Sequence, residues 1–239
     1  MVFKVNKDVD TVMKSLKANR FAPVVFVEKA EAVPELVLNM IPAGATVRIT
    51  GTTTIRQLGL HVQLMKRGTA IFNMDRPSEL TVDQRRRLPT DVLLASSNAV
   101  TLDGKLVNTD GVGNRVAGMI FGPRKVILVI GVNKIVRDVT EAMERIKNTI
   151  APYHAMSMGR KTPCAVDGRC TDCKSPDRIC NVTTIIEKKP SDTDIAIVVV
   201  GEDLGLGWDP SWPEERKARI TANYRETRKA TQELRLEGA

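Results

Sequence analysis

The four cysteines of the chain, Cys164, Cys170, Cys173 and Cys180, all fall in the 17-residue stretch CAVDGRCTDCKSPDRIC, spaced C-x5-C-x2-C-x6-C. Glycine, proline, aspartate and serine separate them, which makes a loop whose sulfurs can turn toward one point. Four thiolates satisfy either tetrahedral zinc or a cubane iron–sulfur cluster, and the C-x2-C pair supplies the close bite that both need. Zinc ribbons usually carry two such pairs, so one pair with two outlying cysteines favours a 4Fe–4S cluster, with zinc as the alternative. Arg169, Lys174 and Arg178 could offset the negative charge of a thiolate-bound cluster. Two disulfides and four ordinary buried cysteines are the competing readings. The start MVFKVNKDVDTVMKSLKANR has no signal-peptide core, so a cytoplasmic chain is expected, and structural disulfides are rare there. Buried cysteines, for their part, do not cluster in a polar loop.

Two other stretches could hold a ligand. In ATVRITGTTTIRQLGL a strand runs into Gly51, Thr52, Thr53 and Thr54 and then into a helix, an arrangement that attracts phosphate or carboxylate. A threonine that merely caps the helix is the equal alternative. NTDGVGNR gathers Asp110, Gly111, Gly113, Asn114 and Arg115, so that acid, amide and guanidinium share one glycine-bearing loop. Its functional weight depends on facing the GTTT loop across the carboxyl end of a sheet, where open α/β sheets bind ligands. Glu202 and Asp203 follow a buried strand and are further candidates for orienting a ligand or moving a proton, or for satisfying loop amides. No catalytic residue is singled out among Asp110, Asn114, Arg115, Glu202 and Asp203.

The elements that must position these residues alternate between strand and helix. Residues 8–19 form an amphipathic lead helix, and FAPVVFVE, ATVRIT, TAIFNM, DVLLASSNAVT, KVILVIG and TDIAIVVVG read as strands. AEAVPELVLNMI, IRQLGLHVQLMKRG and VRDVTEAMERIKNTI read as helices, and Asp103-Gly104 marks a hairpin turn. VILVI and IAIVVVG are apolar at consecutive positions, as strands covered on both faces are. The expectation is one α/β domain over residues 1–239, a three-layer αβα sandwich with a mainly parallel sheet. The cysteine loop at 164–180 and a terminal helix at about 213–237, opened by Pro213, complete it.

The net charge of +8 admits a polyanion partner, but acids interleave the bases in EERKARITANYRETRKATQELRLEG, and aromatics make up only 4%. Nucleic acid is therefore not expected, nor, without an apolar run of membrane length, is a membrane. With only His61 and His154 present, and with no Walker loop, GxGxxG or HExxH, the common hydrolase and nucleotide readings lose support.

TGTTTIRQLGL, SSNAVTLDGKLVNTDGVGNRVAGMIFGPRKVILVIGVNKIV, KTPCAVDGRCTDCKSPDRICN and IVVVGEDLGLGW together resemble the LUD (lactate-utilisation) domain family across roughly residues 8–208. The resemblance implies a fold like the sugar-phosphate isomerase and coenzyme A transferase superfamily. It also implies a relation to a three-protein iron–sulfur system that oxidises L-lactate to pyruvate. This chain looks like the compact stand-alone branch with the cysteine loop and lacks ferredoxin-type repeats. A redox subunit or oxidoreductase acting on lactate or another small carboxylate is the function implied, with other iron–sulfur subunits or a homo-oligomer as partners. In that reading Gly51 to Thr54 hold the carboxylate and Arg115 neutralises it. A non-redox enzyme or binding module for a phosphorylated or CoA-like ligand, with structural zinc, is the alternative.

Overall fold

The computed structural model describes residues 2–69, 71–73, 81 and 89–236. Strands β1 (Val24–Val27), β2 (Val47–Ile49), β3 (Ile71–Asn73), β4 (Val92–Ala95), β7 (Lys125–Gly131) and β10 (Asp194–Val200) form a parallel sheet in the order β1-β10-β7-β4-β2-β3. The apolar runs behave as expected of strands covered on both faces. Along β10, Ala196, Val198 and Val200 join one core, while Ile195, Ile197 and Val199 join the other. β7 divides in the same way, with Ile127 and Val129 on one face and Val126, Leu128 and Ile130 on the other.

Helices α2 (Val33–Met40), α3 (Thr53–Gln57) and α4 (Leu60–Lys66) cover the first face. The lead helix α1 (Val2–Ala18) and α5 (Asn114–Ile120) cover the second, through Val12, Leu16 and Met119. The three-layer α/β sandwich is thus as expected. The segment IRQLGLHVQLMKRG is not one helix, however: Gly59 adopts φ +62° and splits it into α3 and α4, because a left-handed residue ends a helix.

A second sheet was not foreseen. DVLLASSNAVT is not one strand but two, β4 and β5 (Ala99–Thr101), separated by the turn at Ser96–Asn98. β5 pairs with β6 (Leu106–Asp110) through the expected hairpin, with Gly104 at φ +79°, and the order β8-β5-β6-β9 is completed by β8 (Ile135–Val136) and β9 (Val182–Ile186). In VRDVTEAMERIKNTI, Val136 ends a strand and the Asp138 carboxylate caps α6 (Val139–Arg145) by accepting from the Glu141 amide. The helix continues as a π-turn, Ile146–Ile150, into α7 (Ala151–Ser157). These helices, Leu206 and Tyr224 build a third core against Ala99, Val107 and Val136. Pro213 directly precedes α9 (Glu214–Leu236); the last position expected for that helix, 237, and parts of TAIFNM lie outside the described residues. Among the described residues no helix is long and apolar enough to cross a membrane.

Candidate functional site

Because the main sheet is parallel, β2, β4, β7 and β10 all deliver their carboxyl ends to one edge, followed by Thr50, Ser96, Val132 and Gly201 respectively. Lys134, three residues beyond β7, is buried at this edge, and its Nζ donates to Thr54 Oγ1 at 2.8 Å and to Ser96 Oγ at 2.7 Å. Among the described residues no carboxylate pairs with it. Burial, and secondarily the like charge of Arg115, lowers its pKa from the ordinary 10.5 to about 7. The sequence reading passed over Lys134 as one charged residue after a strand. Its signal was its isolation, as the only ionisable side chain between Lys125 and Arg137.

The loop that follows β10 roofs the amine. Asn133, fully buried, holds it on both sides: its Oδ1 accepts from the Leu204 amide at 2.9 Å and its Nδ2 donates to the Gly207 carbonyl at 3.0 Å. Gln57 Oε1 accepts from the Gly205 amide at 2.7 Å. Gly205 passes so close that a Cβ there would lie 2.7 Å from Thr54 Oγ1 and 3.2 Å from Lys134 Nζ. Of the GTTT loop, Thr54 therefore reaches the amine, and Thr53 lies beside the Tyr224 hydroxyl. Thr52 occupies the cap position of α3 without a capping bond, and Gly51 is exposed. Among the described residues, the hydroxyl of neighbouring Thr50 is buried without a hydrogen-bond partner.

The DGVGNR loop does meet this edge, through Arg115. Its guanidinium donates to the Ser96 carbonyl at 2.8 Å, Asn98 Oδ1 at 2.7 Å, Asn108 Oδ1 at 3.1 Å, the Thr109 carbonyl at 3.0 Å and Asp110 Oδ1 at 2.6 Å. Asp110 Oδ2 meanwhile accepts from the amides of Arg115 and Val116, at 3.1 and 3.0 Å. Every N–H direction of Arg115 is taken by the protein, so it braces the turn after β4 and leaves no donor for a ligand carboxylate. Asn114 opens α5 half-buried. Glu202 and Asp203 stand aside from the amine: Asp203 takes a bidentate pair from Arg216, at 2.9 and 2.6 Å, and Glu202 lies 3.6 Å from Lys29 at the surface. Asp203 thereby ties the roof loop to α9.

His154, on α7, makes a close hydrogen bond to the Tyr224 hydroxyl, which also meets Ser157 Oγ at 3.1 Å. Burial, and then the positive charges of Arg228, Arg115, Arg160 and Arg56, lower the His154 pKa from 6.5 to about 4, so the ring is neutral near pH 7. A polar seam thus runs from Tyr224 through Thr53, Thr54, Lys134 and Ser96 to Arg115 and Asp110.

The cysteine loop joins that seam at its far end. The Asn181 amide donates to the Asp110 carbonyl at 2.9 Å and its Nδ2 to the Gly111 carbonyl at 3.0 Å, and Gly111 sits against Ile179 closely enough to leave a Cβ only 3.2 Å from its Cα. Cys164 lies on the single-turn helix α8 (Pro163–Asp167), while the other three lie on irregular backbone. All four thiols are free and half-buried. Arg178 ties the loop, donating to the Cys173 carbonyl at 2.6 Å, the Cys180 carbonyl at 3.1 Å and Asp172 Oδ1 at 2.8 Å. Burial pushes the Cys180 thiol up, against the pull of Arg178. Among the described residues no group of three or more His, Cys, Asp or Glu side chains stands together at metal-holding spacing.

A crystal structure of a DUF162 family protein from Deinococcus radiodurans is 14% identical, with a TM-score of 0.48, over 82% of this chain and 98% of that one. No curated protein matches the sequence. The model of the LUD domain matches residues 9–200, which span every element from the lead helix through β10 and include the GTTT loop, Lys134 and all four cysteines. The chain belongs to the LUD domain family.

Proposed function

We propose that the chain binds a small carboxylate at the carboxyl edge of the parallel sheet, with Lys134 as the group that meets its charge, and that it serves as a redox subunit in lactate oxidation. One observation carries the site: a buried amine whose partners are two hydroxyls and whose neighbouring charge, Arg115, has the same sign. Burying an ammonium without an anion is costly, so such a group either loses its proton or takes its counter-ion from a ligand. A bound carboxylate supplies that counter-ion and holds the proton on Lys134. Without it the amine, with a pKa of about 7, gives up its proton above that pH. Thr54 and Ser96 fix the amine, and Arg115 with Asp110 fixes the turn that carries Ser96. The role assigned to Arg115 is therefore positioning, and neutralisation of the carboxylate passes to Lys134.

The donor chemistry of the cysteine loop suits a 4Fe–4S cluster: four unpaired thiols, no histidine in the C-x5-C-x2-C-x6-C pattern, Asp172 and Asp177 engaged by Arg178 and the Lys161 amide, and Arg178 to balance thiolate charge. Cys164, Cys170, Cys173 and Cys180 would hold it, and when bound it supplies one-electron transfer. Free thiols also suit a reducing cytoplasm, and other iron–sulfur subunits are the natural electron partners.

The test is anaerobic purification with visible absorption and iron, sulfide and zinc analysis, beside calorimetric titration of L-lactate, pyruvate and acetate into wild type and Lys134→Met. Expected are a broad band near ~400 nm with about four irons per chain, and carboxylate binding that weakens at least about tenfold in the variant. Zinc without visible absorbance would overturn the redox role and turn attention to phosphorylated or CoA-like ligands. Unchanged binding in Lys134→Met would overturn the site.

A further inference from the structure

Beyond the Tyr224–His154 pair, α7 and α9 leave a cleft of about 200 Å³ lined by Tyr153, Met156, Ser157, Arg225, Arg228 and Lys229. It shares no lining residue with the Lys134 site. No acidic residue lines it, and among the described residues no carboxylate pairs with Arg225 or Arg228. Two of its lining residues also carry unsatisfied polar atoms. Among the described residues, the Tyr153 hydroxyl and Arg228 Nε are buried without a hydrogen-bond partner. Buried polar atoms are nearly always paired, so two orphaned donors on residues that line one cleft leave room for an added acceptor. Arg225 stacks over the Tyr153 ring at 5.5 Å, which keeps a second guanidinium at the rim.

We propose that this cleft binds a phosphate-class oxyanion, either the phosphoryl group of a small phosphorylated molecule or inorganic phosphate. A tetrahedral oxyanion presents acceptors in several directions at once. It can take Arg228 Nε and the Tyr153 hydroxyl together while Arg225 balances its charge. Arg228 also lies near enough to buried His154 to add, after burial itself, to the lowering of its pKa. An anion in the cleft cancels the field of Arg228, so the imidazole of His154 reports occupancy from a residue that does not line the site.

The test is calorimetric titration of the full chain with inorganic phosphate and with glycerol 3-phosphate, against chloride at matched ionic strength. Arg228→Gln, Tyr153→Phe and the rim variant Arg225→Gln are compared with wild type, and imidazole NMR of His154 is recorded in parallel. Saturable phosphate binding is expected, weakened about tenfold by Arg228→Gln or Tyr153→Phe, with an upward shift of the His154 titration on binding. Tighter binding of glycerol 3-phosphate assigns the cleft to the phosphoryl group of a larger molecule. Equal or weaker binding assigns it to the free anion. Binding no stronger than that of chloride overturns the proposal, as does binding unaffected in Tyr153→Phe and Arg225→Gln, or a short oligonucleotide that binds and is not displaced by phosphate.

Discussion

At the scale of single residues, the molecule stores its unusual chemistry in two buried bases that sequence patterns treat as ordinary. Lys134 and His154 both have pKa values lowered by burial, to about 7 from 10.5 and to about 4 from 6.5. In each case the unfolded chain holds a proton that the folded chain gives up between the two values, so stability rises with pH through that window. His154 contributes a rise from about pH 4 to 6.5, lost again on acidification, and Lys134 a rise from about pH 7 to 10.5 worth on the order of several kcal/mol. Urea denaturation across pH should show both slopes, and Lys134→Met should remove the upper one while leaving the lower intact. An upper slope that persists in the variant would place the titration elsewhere. The residues named in advance divide along the same physical line. Asp110 and Arg115 announce themselves as a polar group in a glycine-bearing loop, but only coordinates reveal that Arg115 has no donor left over. Lys134 could not be read as a site because its significance is burial, which depends on a roof supplied by residues some seventy positions later.

At the scale of elements, local signals were legible where one segment decides its own conformation. KVILVIG and DIAIVVV are strands because their apolar residues occupy both faces, and Asp103-Gly104 is a turn because Gly104 takes a positive φ. Joins were harder. The break at Gly59 and the switch of DVLLASSNAVT from one sheet to the other are tertiary decisions, and the second depends on Lys134 and Arg115 gripping Ser96. The roof loop is the element whose geometry matters most to the site, and Gly205 tests it. An alanine there meets Thr54 Oγ1 and Lys134 Nζ and also sits at φ +69°, whereas Gly44, at φ +75°, has nothing within 4 Å. Both Gly205→Ala and Gly44→Ala should lose about 1–2 kcal/mol for the left-handed backbone. Only Gly205→Ala should also weaken carboxylate binding, as measured by calorimetry. Equal binding in the two variants would mean that the roof does not bear on the site.

At the scale of the whole molecule, the fold gathers residues remote in sequence onto one polar seam. Thr54 precedes β3, Ser96 follows β4, Lys134 follows β7, and Tyr224 comes from the terminal helix, yet the fold brings them together at the carboxyl edge. The seam ends where Asn181 grips Asp110 and Gly111, so the cysteine loop is fastened to the same structure that holds the amine's partner. The fold class and the layers were legible because composition and spacing determine them. The seam was not, because it is a property of the parallel sheet's shared edge. The central claim, that Lys134 takes its counter-ion from a carboxylate ligand, is tested most directly by proton uptake. L-Lactate or pyruvate is titrated calorimetrically at about pH 8 in buffers of differing ionisation enthalpy, because a bound anion must return the missing proton to the amine. Net uptake approaching one proton per ligand in wild type, and none in Lys134→Met, is the result the account predicts; carboxylate binding with no proton uptake would contradict it.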